Sequence, residues 1–341
     1  MRLYPFSKRQ VVGLDIGSGS IKALKAEAWR GGLRVTGLGV VPIEPGGDSR
    51  QMSQAVHAAL AAAGAAEAPV VAAIGGPEVV IRQLTLPPLP ASRILPALEL
   101  QHRELGLLPP GEAVLDAQVL RKSKDVPANE VLSVSAPRDL VEERRRLLQQ
   151  AVVNLRILDV EPLALLNAAV QLTGLDPGEL LVLVNVGRHS SVLCLFSEAG
   201  PVVARYLKVG AEDFTEALRV TFGFAPYAVA PGARALPPAD IPRVEAACRE
   251  SLDRMAEDIR LSLAFYRTEY DRESLPRYAV AGWAGLPQIG RWLAGRLALP
   301  APFEVMDPFK AVEVRTSTPA TEPRGAGPQF LQAFGLALRG L

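Results

Sequence analysis

The sequence predicts an α/β protein of two duplicated βββαβα lobes, the first carrying an α/β insertion. Three observations lead there. Val11-Val12-Gly13-Leu14-Asp15-Ile16-Gly17-Ser18-Gly19-Ser20-Ile21-Lys22 is an apolar run that ends in Asp, passes a Gly/Ser turn and resumes as a second apolar run. That is the pattern of strand, tight turn and antiparallel strand. A looser copy, Leu181-Val182-Leu183-Val184-Asn185-Val186-Gly187-Arg188-His189-Ser190-Ser191-Val192, returns in the second half, and similar strand and helix patterns follow each copy. The length of 341 residues exceeds one small core and suits two lobes.

In the first half, strands are expected at 11–16, 20–28 and 33–41, joined by the Gly17–Gly19 turn and by Gly31-Gly32. An Ala-rich helix at about 50–63 is closed by Gly64, and the apolar strand Pro69–Gly75 runs into Gly75-Gly76-Pro77. Val79–Leu86 reads as a further strand, stopped by the prolines of Pro87–Pro90. The texture then changes: a helix over Ser92–Leu105, alternating strands at 113–121 and 130–136, and an amphipathic stretch Asp139–Leu155. Its Arg144-Arg145-Arg146 run reads as a solvated helix face. Residues 78–157 are therefore read as an insertion, and the apolar helix Asp159–Leu172, containing Glu161-Pro162, as a bridge between the lobes.

The second half opens with the hairpin at 181–197, a strand at 201–207 and a helix Glu212–Phe222 after Val209-Gly210. Tyr227–Pro242, rich in Ala, Pro and Gly, reads as irregular. A long helix is expected from Arg243 to about Tyr270, its apolar seam Val244, Cys248, Leu252, Met255, Ile259, Leu263 and Tyr266 at helical spacing. Strand Arg277–Ala281, turn Gly282-Trp283-Ala284-Gly285, helix Pro287–Leu297 and a short final helix Pro328–Leu338 complete the chain.

Thirty-seven basic residues against 36 acidic ones leave a net charge of +1, which argues against a surface built for nucleic acid. Two cysteines, Cys194 and Cys248, form no framework and fit a reducing compartment, and histidines 57, 102 and 189 lack metal-ligand spacing. No apolar run approaches the ~20 residues that span a bilayer. The basic stretch Met1–Gln10 enters a strand rather than a signal-type apolar region. A cytosolic protein is expected, reaching a membrane only through a partner.

The hairpins carry the chemistry. Gly17 and Gly19 allow backbone amides to approach a ligand, in a concave nest suited to phosphate oxygens. Ser18 and Ser20 add hydroxyl donors, and Lys22 a cation. Asp15, ending a buried strand, calls for a charge partner; a hydrated Mg²⁺, which takes one or two carboxylates, is one. An ordinary turn accounts for such a hairpin taken alone. A second one in the same register, with Asn185, Gly187, Arg188 and Ser190, points to a clamp that grips a phosphate chain from both sides.

Leu14-Asp15-Ile16-Gly17-Ser18-Gly19-Ser20-Ile21-Lys22 is similar to the motif L-D-I-G-S-S-S-I-K, Asp258-Ile259-Arg260-Leu261-Ser262-Leu263-Ala264-Phe265-Tyr266 to E-I-x-R-S-L-x-F-Y, and Phe334-Gly335-Leu336-Ala337-Leu338-Arg339 to a G-L-A-L-R terminus. On these motifs the chain resembles the actin-like ATPase superfamily of actin, Hsp70 and sugar kinases. Within it, the chain resembles the PilM family of type IV pilus assembly. The resemblance implies an actin-like ATPase fold: subdomain 1A from residues 1–77, 158–176 and 323–341, and an FtsA-type 1C insertion at 78–157. The second lobe, 177–322, would hold 2A with a reduced 2B at about 211–275. It also implies a cleft for ATP and Mg²⁺, with Asp15 holding the metal through water and Asp15, Gly17, Ser18, Gly19, Ser20, Lys22, Asn185, Gly187, Arg188, Ser190, Gly282 and Gly285 contacting nucleotide. The implied partner is the cytoplasmic N-terminal tail of a PilN-like inner-membrane protein, bound beside 1C and placing the protein at that membrane. Its groove is sought from Val79 to Leu89 and from Glu130 to Arg156; Leu86-Pro87-Pro88-Leu89-Pro90 lines it or makes a plain turn. Other pilus assembly proteins are implied as further partners, and twitching motility and DNA uptake as outputs.

The chain departs from the family in its nucleotide elements. The family's second hairpin begins V-D-I-G-A; here Asn185 lacks the charge that would help hold Mg²⁺, and Arg188 and His189 either contact phosphate or fill the site. Trp283 interrupts the Gly-Gly turn of the adenosine side, either stacking on a base or packing into the lobe. The loop Ala225–Pro238 replaces the Ala-Glu-x-x-Lys segment of relatives. The expected function is thus an adaptor with nucleotide binding weakened or lost. A working ATPase whose nucleotide state switches partner affinity is the alternative. A phosphotransferase of the acetate- or sugar-kinase type is remote, since the second hairpin supplies no carboxylate base.

Overall fold

The computed structural model describes residues 10–29, 32–43, 46–108, 111–122, 128–176, 178–197, 200–223, 237–270, 275–283, 288–316 and 326–341. Strands β1 (Gln10–Ile16), β2 (Ser20–Trp29) and β3 (Gly32–Pro42) form an antiparallel meander in which Asp15 stands opposite Lys22. Helix α1 (Ser49–Ala62) follows, and β4 (Val70–Ile74) returns parallel to β1. Asp48 starts α1 with a capping box: its carboxylate accepts from the Gln51 amide at 2.8 Å, and the Gln51 side chain accepts from the Asp48 amide at 3.0 Å.

The insertion is a three-stranded sheet with one helix on it. Its strands β5 (Val80–Leu86), β6 (Ala113–Lys122) and β7 (Asn129–Pro137) lie in the order β5-β7-β6. Helix α2 (Ala91–Glu104) packs Ile94 and Leu98 onto Leu86 and Val131. Helix α3 (Arg138–Gln150) leaves this sheet and places Leu148 beside α1 residues Val56 and Leu60, on the outer face of the first lobe.

The next segment departs from the sequence reading. Leu155–Val160, read as the tail of the Asp139 stretch and the start of the following helix, is a strand, β8, parallel to β4. The helix then begins at Glu161 as α4 (Glu161–Thr173). Ile157 and Leu158 of β8 pack to opposite faces of the sheet, and that two-sided, six-residue pattern carries no clean period.

The second lobe repeats the first. Strands β9 (Glu179–Val186), β10 (Ser191–Ser197) and β11 (Gly200–Leu207) form the meander, and α5 (Ala211–Phe222) follows. The expected long helix is two: α6 (Ile241–Ala247) and α7 (Arg249–Tyr270), parted at Cys248, whose side chain stays in the same apolar seam. Residues 224–236, most of the stretch read as irregular, lie outside the described residues, and α6 already begins at Ile241. Strand β12 (Leu275–Gly282) runs parallel to β9, followed by α8 (Ile289–Arg296) and the two-residue β13 (Glu304–Val305).

Two-residue strand β14 (Glu313–Val314), which no sequence pattern announced, then joins the first lobe's sheet beside β3. Arg34 holds it there: Nε and Nη2 donate to Glu313 at 3.0 and 2.9 Å while the guanidinium lies 3.4 Å from the centre of the Trp29 ring. The chain ends in α9 (Leu331–Gly340).

The sheet orders are β14-β3-β2-β1-β4-β8 and β11-β10-β9-β12-β13. Helices α4 and α9 lie between them. Ala164, Leu165 and Ala168 of α4 and Phe334, Leu336 and Ala337 of α9 share one core with Val11 and Leu24 of the first sheet and Leu183, Cys194 and Phe196 of the second. Two glycines permit this layer: a Cβ on Gly13 would collide with the Ala333 carbonyl, and one on Gly335 with the Ala164 carbonyl. Helices α1 and α3 cover the outer face of the first sheet, and α5 to α8 that of the second. No described helix is long and apolar enough to cross a membrane.

Candidate functional site

Strands β1 and β9 each end at the same level, so their hairpins meet across a cleft of about 1400 Å³ at the carboxyl ends of the central strands. Ligands of open α/β sheets bind at that end. Asp15, Gly17, Ser18, Gly19, Ser20, Lys22, Asn185, Gly187, Arg188, Ser190 and Gly282 all line the cleft. Gly285 lies outside the described residues.

The two hairpins close in the same way: the Gly17 amide donates to the Ser20 carbonyl at 3.2 Å, and the Gly187 amide to the Ser190 carbonyl at 3.0 Å. Among the described residues, the Ser18 and Gly19 amides at the tip of the first hairpin have no protein acceptor. Asp15, 6% exposed, is engaged at both oxygens: Lys22 Nζ donates to Oδ2 at 3.1 Å and Gln332 Nε2 to Oδ1 at 3.0 Å.

The second hairpin is fastened to α5, whose first amides, of Ala211 and Glu212, donate to the carbonyls of Gly187 and Arg188 at 2.8 and 2.9 Å. These bonds use helix-start donors that a phosphate would otherwise accept. From this hairpin Arg188 reaches across the cleft. Its Nε donates to Glu212 at 3.0 Å, its Nη1 donates to the Ile43 carbonyl at 3.2 Å, and its stem covers Gly19, where an added Cβ would lie 2.6 Å from Arg188 Cδ.

The third turn begins at Gly282, with φ of +83°, and the Trp283 amide donates to the Val186 carbonyl at 2.8 Å. The Trp283 ring packs into the lobe, 9% exposed and stacked on Phe214 with centroids 5.8 Å apart. Of the two placements the sequence left open, lobe packing is the one found.

Sequence reasoning missed the floor of the cleft. Tyr206 of β11 donates to Glu161 Oε2 at 2.8 Å, and Gln332 of α9 reaches Glu161 Oε1 at 3.5 Å as well as Asp15. Arg144 of α3, read as part of a solvated face, is instead turned into the cleft, its Nη1 donating to the Ile16 carbonyl at 3.4 Å. Burial lowers its pKa, while the charges of Glu161 and Asp15 oppose that shift. Burial also pushes the Glu161 carboxyl above the usual range, against the Tyr206 hydrogen bond and with help from Asp15. It raises the Tyr206 phenol too, with the Glu161 charge adding to it. The Glu161-Pro162 pair at a helix start was the one sequence signal, since a carboxylate favours that position; Tyr206 and Gln332 had none.

Among the described residues, no group of three or more His, Cys, Asp or Glu side chains is placed to hold a metal ion. The segments searched for a partner groove are neighbours: β5 pairs with β7 from Val80↔Ser135 to Leu86↔Asn129. The Pro-rich corner after β5 is tied down, with Leu86 buried and the Leu89 carbonyl accepting from Asn129 Nδ2 at 3.2 Å. Half-buried Val79, Leu140, Val141 and Leu163 line the seam between the insertion and the first lobe.

The chain matches, over residues 13–341, the protein family described as type IV pilus assembly protein PilM. No curated protein matches it. Among solved structures it is similar to the PilM-PilN type IV pilus biogenesis complex, with a TM-score of 0.76 and 24% identity over 97% of this chain and 98% of that one. It is also similar to the ethanolamine utilization protein EutJ from Carboxydothermus hydrogenoformans, with a TM-score of 0.53 and 14% identity over 98% of this chain and 91% of that one. The fold is the actin-like ATPase fold predicted from the sequence.

Proposed function

Because the chain belongs to the PilM family of type IV pilus assembly proteins, we propose that it is a cytoplasmic adaptor for the N-terminal tail of a PilN-like membrane protein. The match along nearly the whole chain carries this reading, and the similarity to a PilM-PilN complex supports it. Twitching motility and DNA uptake are the outputs such a pilus role would serve. The tail docks in the seam between the insertion and the first lobe. Val79, Leu140 and Val141 are only half buried there, between β5 and α3, and offer apolar surface to a peptide's side chains. A peptide of the tail should bind the intact chain in calorimetry, and Val141→Glu should weaken it roughly tenfold or more by placing a charge in an apolar contact. Failure of the wild-type chain to bind the peptide at high concentration would sink the adaptor reading.

Nucleotide binding in this adaptor is weakened. Asn185 leaves the second hairpin without a carboxylate, and the Trp283 ring is turned into the lobe. One observation favours the second reading, a working ATPase: Glu161 places a carboxylate of raised pKa on the cleft floor, where a proton acceptor for an attacking water belongs. Its two oxygens already accept from Tyr206 and Gln332, which lowers its capacity for that role.

A further inference from the structure

From the second hairpin, Arg188 spans the cleft to the first. Arg188 donates to the Ile43 carbonyl of the first lobe and to Glu212 of the second, at 3.2 and 3.0 Å. Ile43 is itself fixed to the first hairpin, its amide donating to the Gly19 carbonyl at 3.1 Å, so the guanidinium stands at that hairpin's tip. Beside it are the Ser18 and Gly19 amides, without protein acceptors among the described residues. A guanidinium next to unengaged backbone amides is a donor set made for phosphate oxygens.

The magnesium ion implied by the fold fits the same residues poorly. That ion is usually held by one or two carboxylates with free oxygens, through its waters. Asp15 has both oxygens engaged by Lys22 and Gln332, and its counterpart in the second hairpin is the neutral Asn185. Glu161, the carboxylate nearest it on the cleft floor, accepts from Tyr206 and Gln332, and among the described residues no group of three or more His, Cys, Asp or Glu side chains is placed to hold a metal ion.

We propose that the cleft holds the phosphate chain of a nucleotide without a divalent ion, Arg188 taking the ion's place between the hairpins. The proposal rests on the reading of the cleft as a weak nucleotide site and is independent of tail binding. On binding, Arg188 exchanges a neutral carbonyl partner, Ile43, for charged phosphate oxygens and keeps Glu212 as its orienting partner.

The test is calorimetric titration of the intact chain with ATP, once in excess magnesium and once in EDTA. The expected result is the same affinity in both buffers. Arg188→Gln should lose roughly tenfold or more in EDTA, the scale of a lost hydrogen bond to a charged group, and Arg188→Lys should recover part of it. Circular dichroism of each variant shows that the fold is kept. Wild-type binding that requires magnesium, no ATP binding in either buffer, or unchanged binding by Arg188→Gln would each overturn the proposal. Tail-peptide binding by the wild-type preparation reports separately on the adaptor reading.

Discussion

The buried imidazole of His102 has a measurable consequence for stability. It lies fully buried on the inner face of α2, its Nε2 is 2.9 Å from Ser133 Oγ, and its Nδ1 has no partner among the described residues. Burial, with help from Arg82, lowers its pKa from the ordinary 6.5. The folded chain therefore holds the ring neutral at a pH where the unfolded chain already binds a proton. The stability it contributes is complete above pH 6.5 and is lost as pH falls from there toward the lowered folded value. Urea unfolding of the wild type should show stability falling over that range, and His102→Gln should show a shallower fall. An equally steep fall in the variant would exclude His102 as the source.

At the scale of elements, local signals and tertiary signals separate cleanly. Helix α1 was legible from its Ala-rich run and the closing Gly64, both local; the structure adds a local cap, in which Asp48 and Gln51 satisfy each other's backbone amides three residues apart. Asp48→Ala should lower stability by about 1 kcal/mol in thermal or denaturant unfolding, without moving ATP or tail affinity. The hairpins were legible for the same reason, since strand, Gly/Ser turn and strand are contiguous. Strand β8 was not: its neighbours in sequence are helical, and only β4, far away in the chain, makes it a strand. β14 is the extreme case, two residues held by Arg34 from the other end of the molecule. The cleft divides along the same line. The hairpin residues were named from their spacing, whereas Glu161, Tyr206, Gln332 and Arg144 come from α4, β11, α9 and α3 and meet only in the folded chain. The Arg144-Arg145-Arg146 run shows how composition misleads: Arg144 and Arg146 line the cleft, while Arg145 between them pairs with Glu142 on the exposed face.

The whole molecule is two sheets that share one central layer, and this sets how it unfolds. Helix α9 buries seven consecutive residues from Leu331 to Ala337, and with α4 it contributes to a core that contains side chains of both sheets. Neither lobe can expose that face without stripping the other, because each large apolar side chain so buried stabilises by roughly 1.5–3 kcal/mol. Tyr206 of the second lobe and Glu161 of the first add a hydrogen bond across the same junction. Differential scanning calorimetry should therefore give one transition for both lobes. Gly335→Val should lower its midpoint without splitting it, because the added side chain meets the Ala164 carbonyl; overpacking of this kind costs about 1–3 kcal/mol. Two resolved transitions, in the wild type or the variant, would mean that the lobes hold their own cores and that the α4–α9 layer merely docks between them.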